Sequence, residues 1–346
     1  MKNFWEKLDK PFFCLAPMAD VTDAAFRRII NKYGKPDVFW TEFVSADGLA
    51  SKGREVLKSN LIYSKGEKPI VAQLFSSNPI KMREAVKYVA KLGFDGIDIN
   101  MGCPDKSIEK QGAGAAMMKS MEKAGEIIQA VKDGIKVASS ATRRKGGKNI
   151  SVSVKTRVGY NKSQIEEWIP FLLSQNIDAL TIHARTRKEM SKVPANWNYV
   201  KRAVEIRNKM KVKTLIIGNG DVFDIEDGIK KAKKTGCDGI MIGRAIFGNP
   251  WLFANLASIR EINSKFSSKI LINSAPTIKQ KLKVLIEHTK LFEKLLGKQR
   301  NFAIMKKHYK AYVNGFEGAK ELRIELMETK NAKEVENIIQ KFLKDK

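Results

Sequence analysis

Cysteine and histidine are scarce in this chain, three of each in 346 residues. Cys14, Cys103 and Cys237 form no C-x-x-C pair and leave one thiol unpaired, which argues against a disulfide framework and for a reducing, cytoplasmic setting. His183, His288 and His308 show no metal-ligand spacing, so no metal centre is expected. Long apolar runs are missing as well. None approaches the roughly 18 residues of a membrane span, and Met1–Trp5 is not followed by a signal-peptide core; neither a membrane partner nor export is expected. Acidic residues are few: 37 Asp+Glu stand against 64 Lys+Arg, a formal net charge of +27. That excess suits a polyanionic partner, because each neutralised phosphate releases counterions. A lysine-biased composition would produce it too, and 49 of the basic residues are Lys against 15 Arg.

What is present is a repeated strand-then-turn pattern. In Asp95–Met118 an apolar run, Gly96-Ile97-Asp98-Ile99-Asn100, ends abruptly in Gly102-Cys103-Pro104. This reads as a buried parallel strand followed by a tight loop. Similar strands are predicted over 12–16, 37–41, 70–74, 150–156, 179–182, 214–217 and 239–242, with helical periodicity between them. Eight strands alternating with helices over about 250 residues predict a (β/α)8 barrel. The unusual polar residues gather at strand carboxyl ends: Gln73, Asn100, Cys103, Lys155, His183, Arg185, Asn219, Asp221 and Arg244. That is the end of a barrel where chemistry collects. Cys103 is read as a general acid, since a thiol of pKa about 8.5 stays mostly protonated at neutral pH. Cys14 and Cys237 are read as packed small hydrophobes. The basic run Arg143–Lys148 precedes strand five, on the opposite face from the site, and reads as a solvated loop.

From Ile278 the pattern is wholly helical, with Thr277 and Gln280 as a capping box and Asn331 opening a last helix. The expected organisation is a barrel over 1–255 and a small all-helical domain over 262–346. Residues 251–346 carry 20 Lys+Arg against 10 Asp+Glu, a charge able to hold a large anion. Of the helical-domain histidines, His288 is read as surface filler and His308 as a contact to such an anion.

Several segments together resemble the dihydrouridine synthase family of flavoproteins, in its bacterial B-like subgroup. They are Ala16-Pro17-Met18-Ala19-Asp20-Val21-Thr22-Asp23, Asn100-Met101-Gly102-Cys103-Pro104, Lys155-Thr156-Arg157-Val158-Gly159, His183-Ala184-Arg185-Thr186-Arg187, Gly218-Asn219-Gly220-Asp221 and Gly243-Arg244. Gly318-Ala319-Lys320-Glu321-Leu322-Arg323 extends the likeness to the carboxyl-terminal region. The resemblance implies reduction of the C5–C6 double bond of uridine in RNA, with FMN as cofactor and NADPH or NADH as reductant. It puts Pro17, Met18 and Ala19 along the flavin ring, Gln73 and Lys155 at its polar edge and His183 nearby. Asn219, Gly220, Asp221, Gly243 and Arg244 would bind ribityl and phosphate, and Asn100 and Arg185 the uracil. Transfer RNA is the implied partner, with ribosomal RNA as the alternative, and the protein would act as a monomer. Two rivals stay open. One is a dihydroorotate dehydrogenase-like flavoenzyme acting on a free pyrimidine, and the other is an RNA-binding protein without chemistry.

Overall fold

The computed structural model describes residues 3–142, 149–254, 256 and 276–345. The basic run Arg143–Lys148 lies outside the described residues, as does the start of the expected helical domain at 262. The chain divides into two compact units: Met1–Pro17, Asp37–Leu61 and Lys68–Gly243 form the first, and Met18–Pro36, Ile62–Glu67 and Arg244–Lys346 the second.

The first unit is built on eight parallel strands: β1 (Phe12–Leu15), β2 (Phe39–Ser45), β3 (Ile70–Phe75), β4 (Gly96–Met101), β5 (Ser151–Arg157), β6 (Ala179–His183), β7 (Leu215–Asn219) and β8 (Gly239–Ile242). Their spatial order is β1-β8-β7-β6-β5-β4-β3-β2. A bridge between Cys14 and Val38 joins the two ends, with Leu15 N donating to Val38 O at 3.1 Å and Asp37 N to Phe13 O at 2.9 Å. The sheet therefore closes into the expected barrel. Helices such as Pro79–Lys91, Ile165–Ser174 and Ile225–Thr235 connect the strands. The Asn78-Pro79 pair starts the first of these as its sequence suggests: the Asn78 side chain accepts from Lys81 N, and Pro79 occupies the first turn, where no N–H is needed. At the amino-terminal end of the strands, Trp5 packs with Phe12, Val38, Trp40, Val71 and Ala179. Cys14 and Cys237 are buried, consistent with a packing role.

The second unit has its own apolar core. Ala25 and Ile29 of the Ala24–Tyr33 helix pack with Leu282, Leu285 and Phe292 of the Ile278–Leu296 helix, and with Tyr309, Leu322, Val335 and Ile339 from the helices that follow. The helix after β1 thus has its partners among residues far along the chain. Arg27 fixes the 62–67 segment to it. Its guanidinium bonds Glu67 at 2.7 Å, Thr22 O at 2.6 Å and Ile62 O at 2.5 Å, with both members of the ion pair fully buried. The Thr277–Gln280 capping box forms with both reciprocal bonds. Neither helical-domain histidine lies at the surface. His288 and His308 are both 0% exposed, with ring centroids 4.6 Å apart and Phe26 against each. None of their four ring nitrogens has a partner among the described residues. Burial holds both below the usual histidine range, His308 at about 3. Each lies on the buried face of its helix, so His288 is core rather than surface filler, and His308, equally buried, presents no side chain to RNA.

Candidate active site

Side chains alternate along a strand, and register decides which of them meet. On one face of β4 lie Gly96, Asp98 and Asn100. Asp98 pairs with Gln73 of β3 on one side and Ser153 of β5 on the other, and Asn100 pairs with Lys155. Further round, Arg157 sits beside His183 and His183 beside Asn219. Five expected site residues, Gln73, Asn100, Lys155, His183 and Asn219, are thereby gathered at one end of the barrel.

Backbone bonds hold Cys103 in the loop after β4, and its side chain packs against the cluster of Phe75, Ile108 and Ala113. Asn100 Oδ1 accepts from Gly102 N at 3.1 Å and Cys103 N at 2.9 Å, an Asx-type turn. Ala115 N donates to Cys103 O at 2.9 Å. Gly114 permits that approach: its φ is +60°, and a Cβ there would stand 2.8 Å from Cys103 O. From β5, Arg157 Nε donates to Gly102 O at 2.9 Å, and its Nη1 reaches Thr186 O and Met190 O at 3.1 Å each. Burial pushes the Cys103 thiol above its ordinary value; a bond at the Asp105 backbone and the charges of Lys155 and Arg157 pull the other way. The net effect keeps it a thiol, able to give up a proton.

Lys155 is the second chemical centre. Burial, aided by the Arg157 charge, lowers it to about 8. Its Nζ donates to Asn219 Oδ1 at 3.2 Å, and Asn219 Nδ2 donates to Met241 O at 2.9 Å, which fixes the orientation of that amide. Among the described residues Lys155 makes no other hydrogen bond, so two ammonium hydrogens remain for a ligand. Gly220 follows with φ +117°. A Cβ there would come within 2.9 Å of the Ala195 Cβ and 3.0 Å of the His183 ring.

Arg185 and Asp221 bind one another. Arg185 Nη2 donates to Asp221 Oδ2, which also accepts from Ala195 N at 2.9 Å. Arg185 Nε donates to Val193 O at 2.5 Å, and its Nη1 lies 3.3 Å from His183 Nε2. With Arg185 only 2% exposed, the pair orders the loop from 185 to 195. Pro17 and Gly243 are half-buried at the edges of the first unit, whereas Met18, Ala19 and Arg244 belong to the second. Arg187 pairs with Glu109 and lies 5.3 Å from the Tyr160 ring centroid, with Lys119 Nζ 4.0 Å from the same ring. Sequence reasoning missed Asp98, Ser153 and Arg157. The signal for Asp98 was its two-residue spacing from Asn100, which puts both on one strand face. The described residues contain no group of three or more His, Cys, Asp or Glu able to hold a metal, and no helix long and apolar enough to cross a membrane.

A closed barrel that gathers a thiol and a half-buried lysine where its strands end has the architecture of a barrel enzyme. Its relatives make this specific: the chain belongs to the dihydrouridine synthase family, whose profile, Dihydrouridine synthase (Dus), matches residues 14–346. It is 38% identical over 344 residues to the probable tRNA-dihydrouridine synthase of Staphylococcus aureus (strain COL), covering 99% of this chain and 96% of the relative. It is 37% identical over 344 residues to the probable tRNA-dihydrouridine synthase 2 of Bacillus subtilis (strain 168), covering 99% of this chain and 97% of the relative. Among solved structures, histamine dehydrogenase from Rhizobium sp. 4-9 matches with a TM-score of 0.47 at 13% identity, over 81% of this chain and 49% of that one; the match is too loose to argue from.

Proposed function

We propose that this chain reduces the C5–C6 double bond of a uridine in transfer RNA, with Cys103 as the proton donor. The observation that carries the reading is the Cys103 thiol, kept protonated by burial in a loop that Asn100, Ala115 and Arg157 hold in place. Family membership supplies the reaction class, and the names of the relatives supply the RNA.

The residues fit flavin mononucleotide on one direct count. Lys155 is a half-buried cation that, among the described residues, is bonded only to one neutral amide, so an anionic ring edge would complete its shell. Gln73 would join it at that edge, with Pro17 and His183 around the ring. Asn219, Gly220, Asp221 and Gly243 would hold ribityl and phosphate, at the strand ends where barrels commonly bind phosphate. When bound, the flavin supplies hydride to one carbon of the uracil, having been reduced by NADPH or NADH. Cys103 gives its proton to the other carbon. The thiolate left behind is held by the charges of Lys155 and Arg157, and Asn100 and Arg185 orient the base.

A base stacked in a helix cannot reach such a site, so the target uridine must be single-stranded or flipped out. RNA would be held through its phosphates. The basic region over 262–346 is the first proposed contact, and Lys119 with Arg187 around Tyr160 the second.

The test is an anaerobic reaction of the full chain with NADPH and transfer RNA lacking dihydrouridine, with ribosomal RNA, free uracil and orotate in parallel, read by mass spectrometry. Dihydrouridine in transfer RNA alone supports the proposal. Product only from a free pyrimidine overturns it in favour of a small-molecule dehydrogenase, and product only from ribosomal RNA moves the substrate. A flavin-free protein that binds RNA would mark it as a binding protein.

A further inference from the structure

We propose that Asp98 is a positioning residue for Cys103, setting the direction of a hydrogen-bond chain that ends on the Cys103 backbone. The chain is continuous. Ser153 Oγ donates to Asp98 Oδ1 at 2.5 Å, and Gln73 Nε2 donates to Asp98 Oδ2 at 2.6 Å. Asn100 Nδ2 donates to Gln73 Oε1 at 3.0 Å. Gly102 N and Cys103 N then donate to Asn100 Oδ1. Asp98, Gln73 and Ser153 are 0% exposed and Asn100 7%, so water cannot substitute for a missing partner.

Each of the two amides could sit either way round, and a flip sets donor against donor or acceptor against acceptor. What forbids the flip is the character of the two ends. A carboxylate only accepts, so Gln73 must turn its NH2 to Asp98 and its oxygen to Asn100. Asn100 must then turn its NH2 to Gln73 and its oxygen to the loop, where the backbone N–H groups only donate. Asp98 thus makes the Asn100 oxygen available to the turn that carries the thiol. The consequence for catalysis rests on the reading of Cys103 as proton donor; the positioning itself can be measured without RNA or flavin.

The experiment follows alkylation of Cys103 by iodoacetamide against pH in the full chain. Cys14 and Cys237 are 0% and 6% exposed, so the early signal belongs to Cys103. Asp98→Asn keeps an acceptor for Gln73 and should leave the profile in place. Asp98→Leu removes it. The loosened loop should then admit water and lower the thiol, with alkylation at neutral pH rising about threefold, as half a pKa unit would give. A folded Asp98→Leu protein with an unchanged profile overturns the proposal, since a merely structural role costs stability without moving the thiol. Should the leucine variant not fold, a swap decides. Asn100→Asp sets two acceptors against each other and should lower the urea midpoint. Asp98→Asn added to it lets Gln73 turn round and the whole chain reverse, which should restore much of the loss. Purely additive losses would overturn the proposal. Failure to find dihydrouridine would leave these results intact, so the two ideas fail separately.

Discussion

Replacing Lys155 by methionine should stabilise the flavin-free protein while removing its activity. Lys155 is held at about 8 by burial, against about 10.4 for an ordinary lysine. The full shift corresponds to about 3 kcal/mol charged against the fold. Lys155 keeps some exposure at the barrel mouth, and water screening there reduces this to about 2 kcal/mol. Methionine loses the bond to Asn219 Oδ1, worth about 1 kcal/mol. The net gain near neutral pH is about 1 kcal/mol, or a few degrees in Tm. The sign depends on pH. The folded-state value is depressed, so between about pH 8 and 10.4 the unfolded chain binds more protons and wild-type stability climbs with pH. The advantage of methionine should shrink across that window and reverse once only the lost bond remains. Urea unfolding of both flavin-free proteins at about pH 7 and about pH 10 measures it. A variant less stable at the lower pH, or a difference indifferent to pH, would refute the reasoning. On the proposed reaction turnover should fall at least about 100-fold, because Lys155 would face the developing negative charge.

Cys103→Ala should keep the flavin spectrum and lose turnover by about 10²–10⁴-fold; full activity on RNA would remove Cys103 from the chemistry. Lys119→Glu should weaken transfer RNA affinity about tenfold at low salt and lower the salt slope by about 1–2, with flavin reduction by NADPH unchanged; undiminished affinity would place the RNA contact elsewhere. In the second unit, the folded state holds His288 and His308 neutral, so the unfolded chain takes up protons first as pH falls below about 6.5. Stability should decline by roughly 1.4 kcal/mol per pH unit for each of them, and His288→Leu with His308→Phe should flatten the decline; an unaltered acid profile would refute it.

The barrel was legible because its signals are local. Apolar runs broken by Gly-Cys-Pro or Gly-Asn-Gly mark strand ends, and Asn78-Pro79, Thr277–Gln280 and Asn331–Glu334 form the caps their types suggest. The placement of Asn100, Lys155, His183 and Asn219 at one end follows from the same rule, since a parallel barrel puts every strand's carboxyl terminus on one face. The histidines were misread by residue type rather than by position: His288 falls three residues after Leu285 and four before Phe292, on the single buried face of its helix, and His308 lies on the buried side of the next one.

The sequence by itself determined that strands and helices alternate, that a cysteine stands just past a strand, and which family the motifs resemble. Those are properties of neighbours along the chain. The tertiary structure decided that Asp98 meets Gln73 and Ser153, that Arg185 and Asp221 bind one another, and that the Ala24–Tyr33 helix packs with residues beyond 278. Each joins residues separated by tens to hundreds of positions. Burial supplies the physical reason: a carboxylate, an amide or a guanidinium out of reach of water must take its partner from whatever strand or helix packing brings beside it.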